Sequence, residues 1–275
     1  MSTPTILLNN GKTIPQIGFG TSPLNDKEVV SAVVAAIEAG YRHIDTAYRY
    51  NNERGVGQGI RDSGIDRESL FVTTKLDGQF QGKDRAIGGL DESLRRLGLD
   101  YVDLLLIHWP LPQRNEYVST WKTFEKLVVA GKARSIGLSN FKPAHINRLL
   151  AESTIRPTVN QIQLNPRITR PEQRAYNIDQ GIVTEAWSPL GAGSDLLENP
   201  TLAAIGAKYG KTPGQVVLRW HIELGIVAIP RSANPGRIAQ NINIFDFVLT
   251  SDEISAISAL DNGQEPRVDS DKTGH

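Results

Sequence analysis

A helix that ends on glycine and runs straight into a short apolar stretch recurs along this chain. Val29, Val30, Val33, Val34 and Ile37 recur at helical spacing before Gly40 and the run that opens at Tyr41. The same junction returns at Ala130-Gly131 before Ser135-Ile136-Gly137-Leu138, at Gln180-Gly181 before Ile182-Val183-Thr184, and at Leu224-Gly225 before Ile226-Val227-Ala228-Ile229. Glycine tolerates the left-handed backbone that closes a helix, and short apolar runs bounded by turns read as buried parallel strands. Strand candidates fall near 17–20, 41–45, 70–74, 103–107, 134–138, 158–162, 182–186 and 226–229, with helical patterns between them. Eight strand-helix units in about 210 residues match a closed (β/α)8 TIM barrel better than an open sheet.

The rest of the chain fits around that barrel. Ile6-Leu7-Leu8, Asn10-Gly11 and Ile14-Pro15-Gln16-Ile17 read as an N-terminal β-hairpin over 5–17, its turn pair suited to positive φ at both central positions. Thr212-Pro213 reads as an N-cap with proline at the first helical position, and Thr250-Ser251-Asp252-Glu253 as a capping box. Two helices, Asn199 to Tyr209 and Thr212 to Leu224, precede the eighth strand, one more than a minimal barrel needs. The barrel is expected over about 17–245, a C-terminal helix and loop over 250–275, and no composition break marks a second domain. The polar tail from Asn262 reads as a surface loop.

Composition narrows the function. Thirty Lys+Arg balance thirty Asp+Glu, so no electrostatic bias draws the chain to nucleic acid or an anionic membrane. No apolar stretch reaches the roughly 18 residues of a membrane span, and Met1-Ser2-Thr3-Pro4-Thr5 lacks the basic-then-apolar order of a leader. A cytoplasmic protein, monomeric and acting on a small molecule, is the expectation. The absence of cysteine excludes disulfides, thiolate metal sites and cysteine nucleophiles.

Asp45, Lys75 and His108 each stand just past a separate apolar run, and Tyr50 follows Asp45 closely. The carboxyl ends of parallel strands are where such barrels assemble chemistry. A free phenol titrates near ~10, and an ammonium about 4 Å away at an effective dielectric of ~20 is worth about 4 kcal/mol toward its ionised form. Lys75 is therefore expected to bring the Tyr50 pKa toward neutrality, with Asp45 holding Lys75 charged and His108 orienting a carbonyl. No complete dinucleotide fingerprint competes: Gly18-Phe19-Gly20-Thr21-Ser22-Pro23 lacks the third glycine, and Gly55-Val56-Gly57-Gln58-Gly59 has the wrong spacing. His43 and Asp45 have no spaced third ligand, so no metal site is expected, and His145, His221 and His275 read as helix or tail residues.

Gly40-Tyr41-Arg42-His43-Ile44-Asp45-Thr46-Ala47 with Tyr50, Asn52-Glu53 and Gly57 closely resembles the first signature of the aldo-keto reductases. Gly131-Lys132 through Ile136-Gly137-Leu138-Ser139-Asn140 matches the second, and Ile229-Pro230-Arg231-Ser232 with Arg237 and Asn241 the third. Strand-end Thr73-Thr74-Lys75-Leu76, Ile107-His108-Trp109-Pro110, Asn160-Gln161 and Trp187-Ser188-Pro189-Leu190-Gly191 also fit. The resemblance spans residues 6 to about 250, in the family's order.

It implies a barrel that reduces aldehydes and ketones with NADPH through a tetrad of Asp45, Tyr50, Lys75 and His108, Tyr50 giving the proton. It further implies that Ser139, Asn140 and Gln161 hold the nicotinamide carboxamide, that Trp187 stacks on the ring, and that Ser188, Pro189, Leu190 and Gly191 run along the pyrophosphate. Thr21 and Asp45 are further cofactor-binding positions. Arg231, Ser232 and Arg237 surround the adenosine 2′-phosphate, with Gln240 near the adenine and Asn241 a further cofactor-binding position. Trp187 in place of a tyrosine is typical of prokaryotic members that include the 2,5-diketo-D-gluconate reductases, which points to small aldehydes, dicarbonyls, keto sugars or keto acids as substrates.

The chain departs from the pattern at the pocket, whose expected walls are Ser22, Arg49, Asp77 and Trp109. Ser22 stands where a tryptophan is frequent and Asp77 where an aromatic is common. Arg49 occupies a usually apolar position, so it is expected either to pair with Asp77 or to meet an anionic substrate group. A short tail implies an open site. Two other readings compete: a reductase-like, NADP-binding regulatory subunit, and a Schiff-base aldolase built on Lys75, against which the nearby Asp45 argues.

Overall fold

The computed structural model describes residues 3–263 and 265–275. The hairpin β1 (Thr5–Leu7) and β2 (Thr13–Pro15) is antiparallel. Its turn differs from the expected one. The Leu8 carbonyl accepts from the Gly11 N–H at 3.0 Å, and of Asn10 and Gly11 only Gly11 has positive φ. This is the longer hairpin solution, an ordinary turn followed by one left-handed glycine, and it relieves Asn10 of a strained backbone.

Eight parallel strands follow: β3 (Phe19–Gly20), β4 (His43–Asp45), β5 (Phe71–Leu76), β6 (Val102–Ile107), β7 (Ala133–Ser139), β8 (Val159–Gln163), β9 (Val183–Trp187) and β10 (Val227–Ile229). Each pairs with the next in chain order. The ring closes where Ile17 bridges Ala228 and the Gly20 N–H donates to the Pro230 carbonyl at 2.9 Å. A Cβ at Gly20 would come within 2.9 Å of Ile229, so a side chain there would press the first strand away from the last. The chain thus folds as a (β/α)8 barrel, the architecture its repeats predict.

Ten helices are described: α1 (Glu28–Glu38), α2 (Glu53–Asp62), α3 (Arg85–Leu97), α4 (Tyr117–Val129), α5 (Pro143–Leu150), α6 (Pro171–Asp179), α7 (Pro200–Tyr209), α8 (Pro213–Glu223), α9 (Pro235–Ile242) and α10 (Ser251–Ser258). Helices α7 and α8 are the expected additional pair. Thr212 and Thr250 both form complete capping boxes, each with its hydroxyl accepting from the N3 amide and the N3 side chain returning the bond. No helix among the described residues is long and apolar enough to cross a bilayer.

Alternation along the strands divides the core in two. Outward residues such as Val72, Leu105, Ile136 and Ile162 pack under the helices. Inward ones, Phe71, Leu104, Leu106, Val159 and Val227, meet Leu8 and Ile14 of the hairpin, which plug the amino end of the barrel. Going up a strand by two or four residues on the same face turns this apolar floor into polar groups: Phe71 through Thr73 to Lys75, Val159 to Gln161, Val183 to Glu185. The hairpin therefore seals one end of the barrel while the chemistry gathers at the other.

Candidate active site

Asp45 ends β4, Lys75 is the fifth residue of β5, and His108 follows β6. Tyr50 sits on a short 3₁₀ turn, Tyr48–Tyr50, directly after β4. Strand register sets Asp45 beside Thr73, two residues before Lys75, so the two side chains enter the barrel together. Lys75 is fully buried and uses all three ammonium donors, to Asp45 Oδ1 at 2.6 Å, the Thr46 carbonyl at 3.0 Å and the Tyr50 hydroxyl at 3.3 Å. Because the Tyr50 oxygen accepts from Lys75, its own hydrogen is free to point toward a substrate. The His108 ring stands edge-on to the Tyr50 ring, centroids 5.8 Å apart.

Charge follows from this geometry. Burial works against the Lys75 cation, but Asp45, together with Tyr50, holds its pKa above the ordinary lysine value. For Tyr50 the outcome differs from the sequence expectation: burial raises the phenol pKa, Lys75 opposes it, and burial wins. A desolvated phenolate costs more here than one cation returns, so Tyr50 is an acid that keeps its proton at neutral pH. Burial first, then the Lys75, His275 and Arg49 charges, holds His108 far below the usual imidazole range, leaving a neutral ring.

A 470 Å³ cavity opens over these groups, lined by Thr21, Ser22, Asp45, Tyr50, His108, Trp109, Ser139, Asn140, Gln161, Trp187, Ser188, Pro189, Leu190 and Arg231. Lys75 does not line it, which removes the amine from any carbonyl in the cavity and leaves the aldolase reading without a nucleophile. A larger space of 890 Å³, walled by Lys142, Arg170 and the tail, shares only Asn140 and Trp187 with this cavity and lacks the convergent proton-handling groups.

The nicotinamide end is already ordered. Asn140, in the left-handed region at φ 64°, donates to the Ser139 hydroxyl at 3.0 Å and the His108 carbonyl at 3.1 Å, while its Oδ1 accepts from the Trp187 indole N–H at 2.9 Å. Thr21 is tied to the Asp45 carbonyl through its hydroxyl at 3.1 Å. Gln161 gives its amide hydrogens to Asp45 Oδ2 and Glu185 Oε1, at 2.8 and 2.7 Å, and its own Oε1 accepts nothing among the described residues. An unengaged acceptor on a residue that lines the cavity with Ser139 and Trp187 fits a carboxamide.

A second, 350 Å³ cavity continues from Leu190 and Arg231 through Gly191, Ser232 and Arg237. Neither Arg231 nor Arg237 joins an ion pair among the described residues, and Arg237 Nε donates to the Ser232 hydroxyl at 3.4 Å. Two unneutralised guanidinium groups at the far end of a cleft suit a phosphate. Gln240 is exposed and Asn241 buried on the same helix.

Two pocket expectations need correction. Arg49 and Asp77 form no ion pair among the described residues, and neither lines the cavity. Asp77 is buried and caps its own turn, its Oδ1 accepting from the Gln79 N–H at 3.1 Å, while Arg49 is exposed at the rim. The site is also less open than a short tail suggests, because the tail folds back over the mouth. Lys142 binds Asp269 and Asp271, the Arg267 guanidinium reaches the Ala192 carbonyl, and the Arg267 N–H donates to Gln163 Oε1 at 2.8 Å. His275 ends on the site, its ring 4.7 Å from that of His108 and 5.8 Å from that of Trp109. Gly78 permits this approach, since a Cβ there would stand 2.8 Å from the His275 carbonyl carbon. Sequence reasoning placed His275 in the tail but not on the site, and it missed Glu185.

Comparison with known proteins agrees with this geometry. The aldo/keto reductase family model matches residues 16–262. The chain belongs to the aldo/keto reductase family. It is 48% identical to an aldo-keto reductase of Mycolicibacterium smegmatis over 262 residues, 95% of each chain. It is 45% identical to the morphine 6-dehydrogenase of Pseudomonas putida, covering 95% of this chain and 92% of that one. The crystal structure of a Bombyx mori aldo-keto reductase in complex with NADP is 42% identical with a TM-score of 0.91, covering 96% of this chain and 95% of that chain.

Proposed function

We propose that this protein is an NADPH-dependent carbonyl reductase in which Tyr50 is the general acid. The observation that carries the reading is the buried Lys75 ammonium, 2.6 Å from Asp45 and 3.3 Å from the Tyr50 hydroxyl, behind the wall of a cavity that Tyr50 and His108 line. The complex of the Bombyx mori relative with NADP, at 42% identity, supports the choice of nucleotide.

Ser139, Asn140 and Gln161 would hold the carboxamide and Trp187 the ring face, with Arg231, Ser232 and Arg237 at the 2′-phosphate. The reduced nicotinamide, when bound, supplies the hydride. Neutral His108 donates to the substrate carbonyl oxygen and fixes its direction. As negative charge develops on that oxygen, Tyr50 hands over its proton, and the phenolate left behind faces the Lys75 ammonium. Asp45 keeps that ammonium charged, so the field is in place before the reaction begins. Hydride on carbon and proton on oxygen complete the alcohol.

Substrates of this reading are small aldehydes, dicarbonyls, keto sugars or keto acids, since the cavity near Tyr50 is bounded by Trp109 and His275. The exposed Arg49 stands at the rim, where it can meet a carboxylate carried by such a substrate.

NADPH absorbance followed with a panel of these carbonyls tests the assignment. Turnover with wild type and its loss in Tyr50→Phe support it. Absence of turnover on every carbonyl, with NADPH still bound, transfers the assignment to a cofactor-binding regulatory protein.

A further inference from the structure

Beside the tetrad the barrel holds a carboxyl group that the reaction as described does not use. Glu185 is fully buried on β9 and points into the barrel at the level of the polar groups. Register explains its company. Gln161 on β8 pairs with Glu185, and Ser139 on β7 pairs with Gln161, so three inward side chains share one level. On its other flank β10 offers only Val227. The Gln161 amide nitrogen lies 2.7 Å from Glu185 Oε1 and 2.8 Å from Asp45 Oδ2, while Glu185 Oε2 is buried without a partner among the described residues.

Two carboxyl groups joined through one amide, with a single ammonium nearby, cannot both carry charge cheaply out of water. Asp45 has Lys75 at 2.6 Å and takes the anionic role. Among the described residues Glu185 has only the amide, and its unpartnered Oε2 is the place for a proton. The Gln161 amide is held in this orientation because an oxygen turned back would face the Asp45 carboxylate, while its nitrogen donates to both Asp45 Oδ2 and Glu185 Oε1. Its Oε1 is thereby left unengaged by these two carboxyl groups, on a residue that lines the cavity.

We propose that Glu185 is a positioning residue for the reduction: it locks the Gln161 amide in its cofactor-accepting orientation and, through its own charge state, sets the alkaline end of the range in which Tyr50 keeps its proton. This rests on the reductase reading above. The groups facing Glu185 are Asp45 from β4, Lys75 from β5 and Gln161 from β8, with Tyr50 beyond Lys75. Burial, and then Asp45, push the Glu185 carboxyl up to about 8. Above that pH it becomes an anion, and an anion there raises the pKa of both Tyr50 and Lys75. The proton donor is thereby preserved as the medium becomes alkaline, which favours reduction over alcohol oxidation.

Glu185→Gln keeps the shape and an acceptor but cannot ionise. Its kcat/KM profile for carbonyl reduction is expected to lose its alkaline limb earlier than wild type by roughly half a pH unit or more. Its alcohol oxidation, which needs the phenolate, matches wild type at neutral pH and exceeds it above about pH 8, where wild-type Glu185 ionises, with NADPH affinity within about threefold of wild type. Profiles of Glu185→Gln and wild type that superimpose overturn the role in proton retention. Glu185→Leu removes the acceptor for Gln161, and NADPH titrated against tryptophan fluorescence is expected to bind several-fold more weakly. Unchanged affinity overturns the link to Gln161. If wild type turns over no carbonyl, the reductase assignment fails and the role in proton retention falls with it; the titration still decides the link to Gln161 on its own.

Discussion

Replacing Lys75 by methionine keeps length and volume and removes one charge at the point on which the mechanism turns. The ammonium lies 3.3 Å from the Tyr50 oxygen. At an effective dielectric of ~20 that separation is worth about 5 kcal/mol to a phenolate, an upper bound because the interior relaxes. Loss of a positioned general acid removes about 10²- to 10⁴-fold of rate, and each factor of ten is about 1.4 kcal/mol, so the two figures agree. Lys75→Met is therefore expected to lower kcat by about 10²- to 10⁴-fold while leaving NADPH binding within a few-fold, since Lys75 does not line the cavity.

Stability separates this from simple damage to the fold. The variant strands Asp45, buried with only the Gln161 bond for company, and breaking such a pair costs about 3–5 kcal/mol. For a chain of this size that is a fall in Tm of roughly 6–20 °C. Adding Asp45→Asn neutralises the orphan, so the double variant is expected to regain much of its Tm and none of its activity. Steady-state kinetics with an aldehyde, read beside thermal melts, makes the comparison. A folded Lys75→Met protein that keeps kcat within tenfold of wild type refutes the reasoning.

Other perturbations read different parts of the molecule. Arg231→Ala and Arg237→Ala are each expected to raise the KM for NADPH about tenfold or more, the worth of a hydrogen bond to a charged group, and to leave the KM for NADH nearly unchanged; equal losses with both nucleotides contradict the 2′-phosphate assignment. His275→Ala clears the ring from His108 and Trp109, so KM should fall for bulky aldehydes relative to small ones, and an unaltered ratio shows that the tail does not shape the pocket. Ile14→Ala empties part of the hairpin plug, where the side chain is fully buried, and should cost about 2–5 kcal/mol in urea unfolding with kcat preserved. His43 and His221 are buried and held neutral, their pKa values lowered to about 3 and about 4 by desolvation. Because the unfolded chain takes up those protons below pH 6.5 and the native one does not, stability is full above that pH and falls by up to about 1.4 kcal/mol per pH unit per histidine as pH drops toward 4. His221→Gln should flatten that fall, measured by urea melts at pH 7 and 5.

The barrel was legible because its evidence is repeated and local. Gly40, Gly131, Gly181 and Gly225 all adopt positive φ at helix ends, and every expected strand lies within two residues of an observed one at each boundary. Asp45, Lys75 and His108 were legible for the same reason, as polar residues just past apolar runs. The direction of the Tyr50 shift was not, because pair distances can be guessed from a motif while the depth of burial depends on the whole mouth.

Glu185 was hidden inside a run read as one more apolar strand. The signal was available in the alternation of Val183, Glu185 and Trp187, all inward, had strand parity been carried into the barrel interior. His275 offered no comparable signal. Its place is fixed by contacts far apart in sequence, Lys142 with Asp269 and Asp271, and Arg267 with Ala192, and no periodicity encodes them.

Single-turnover mixing of a preformed NADPH complex with an aldehyde isolates hydride and proton transfer from product release. Tyr50→Phe is expected to keep an NADPH dissociation constant within about threefold of wild type and to show a transient slowed by at least about 10²-fold. A transient that matches wild type in rate and amplitude contradicts the assignment of the proton to Tyr50.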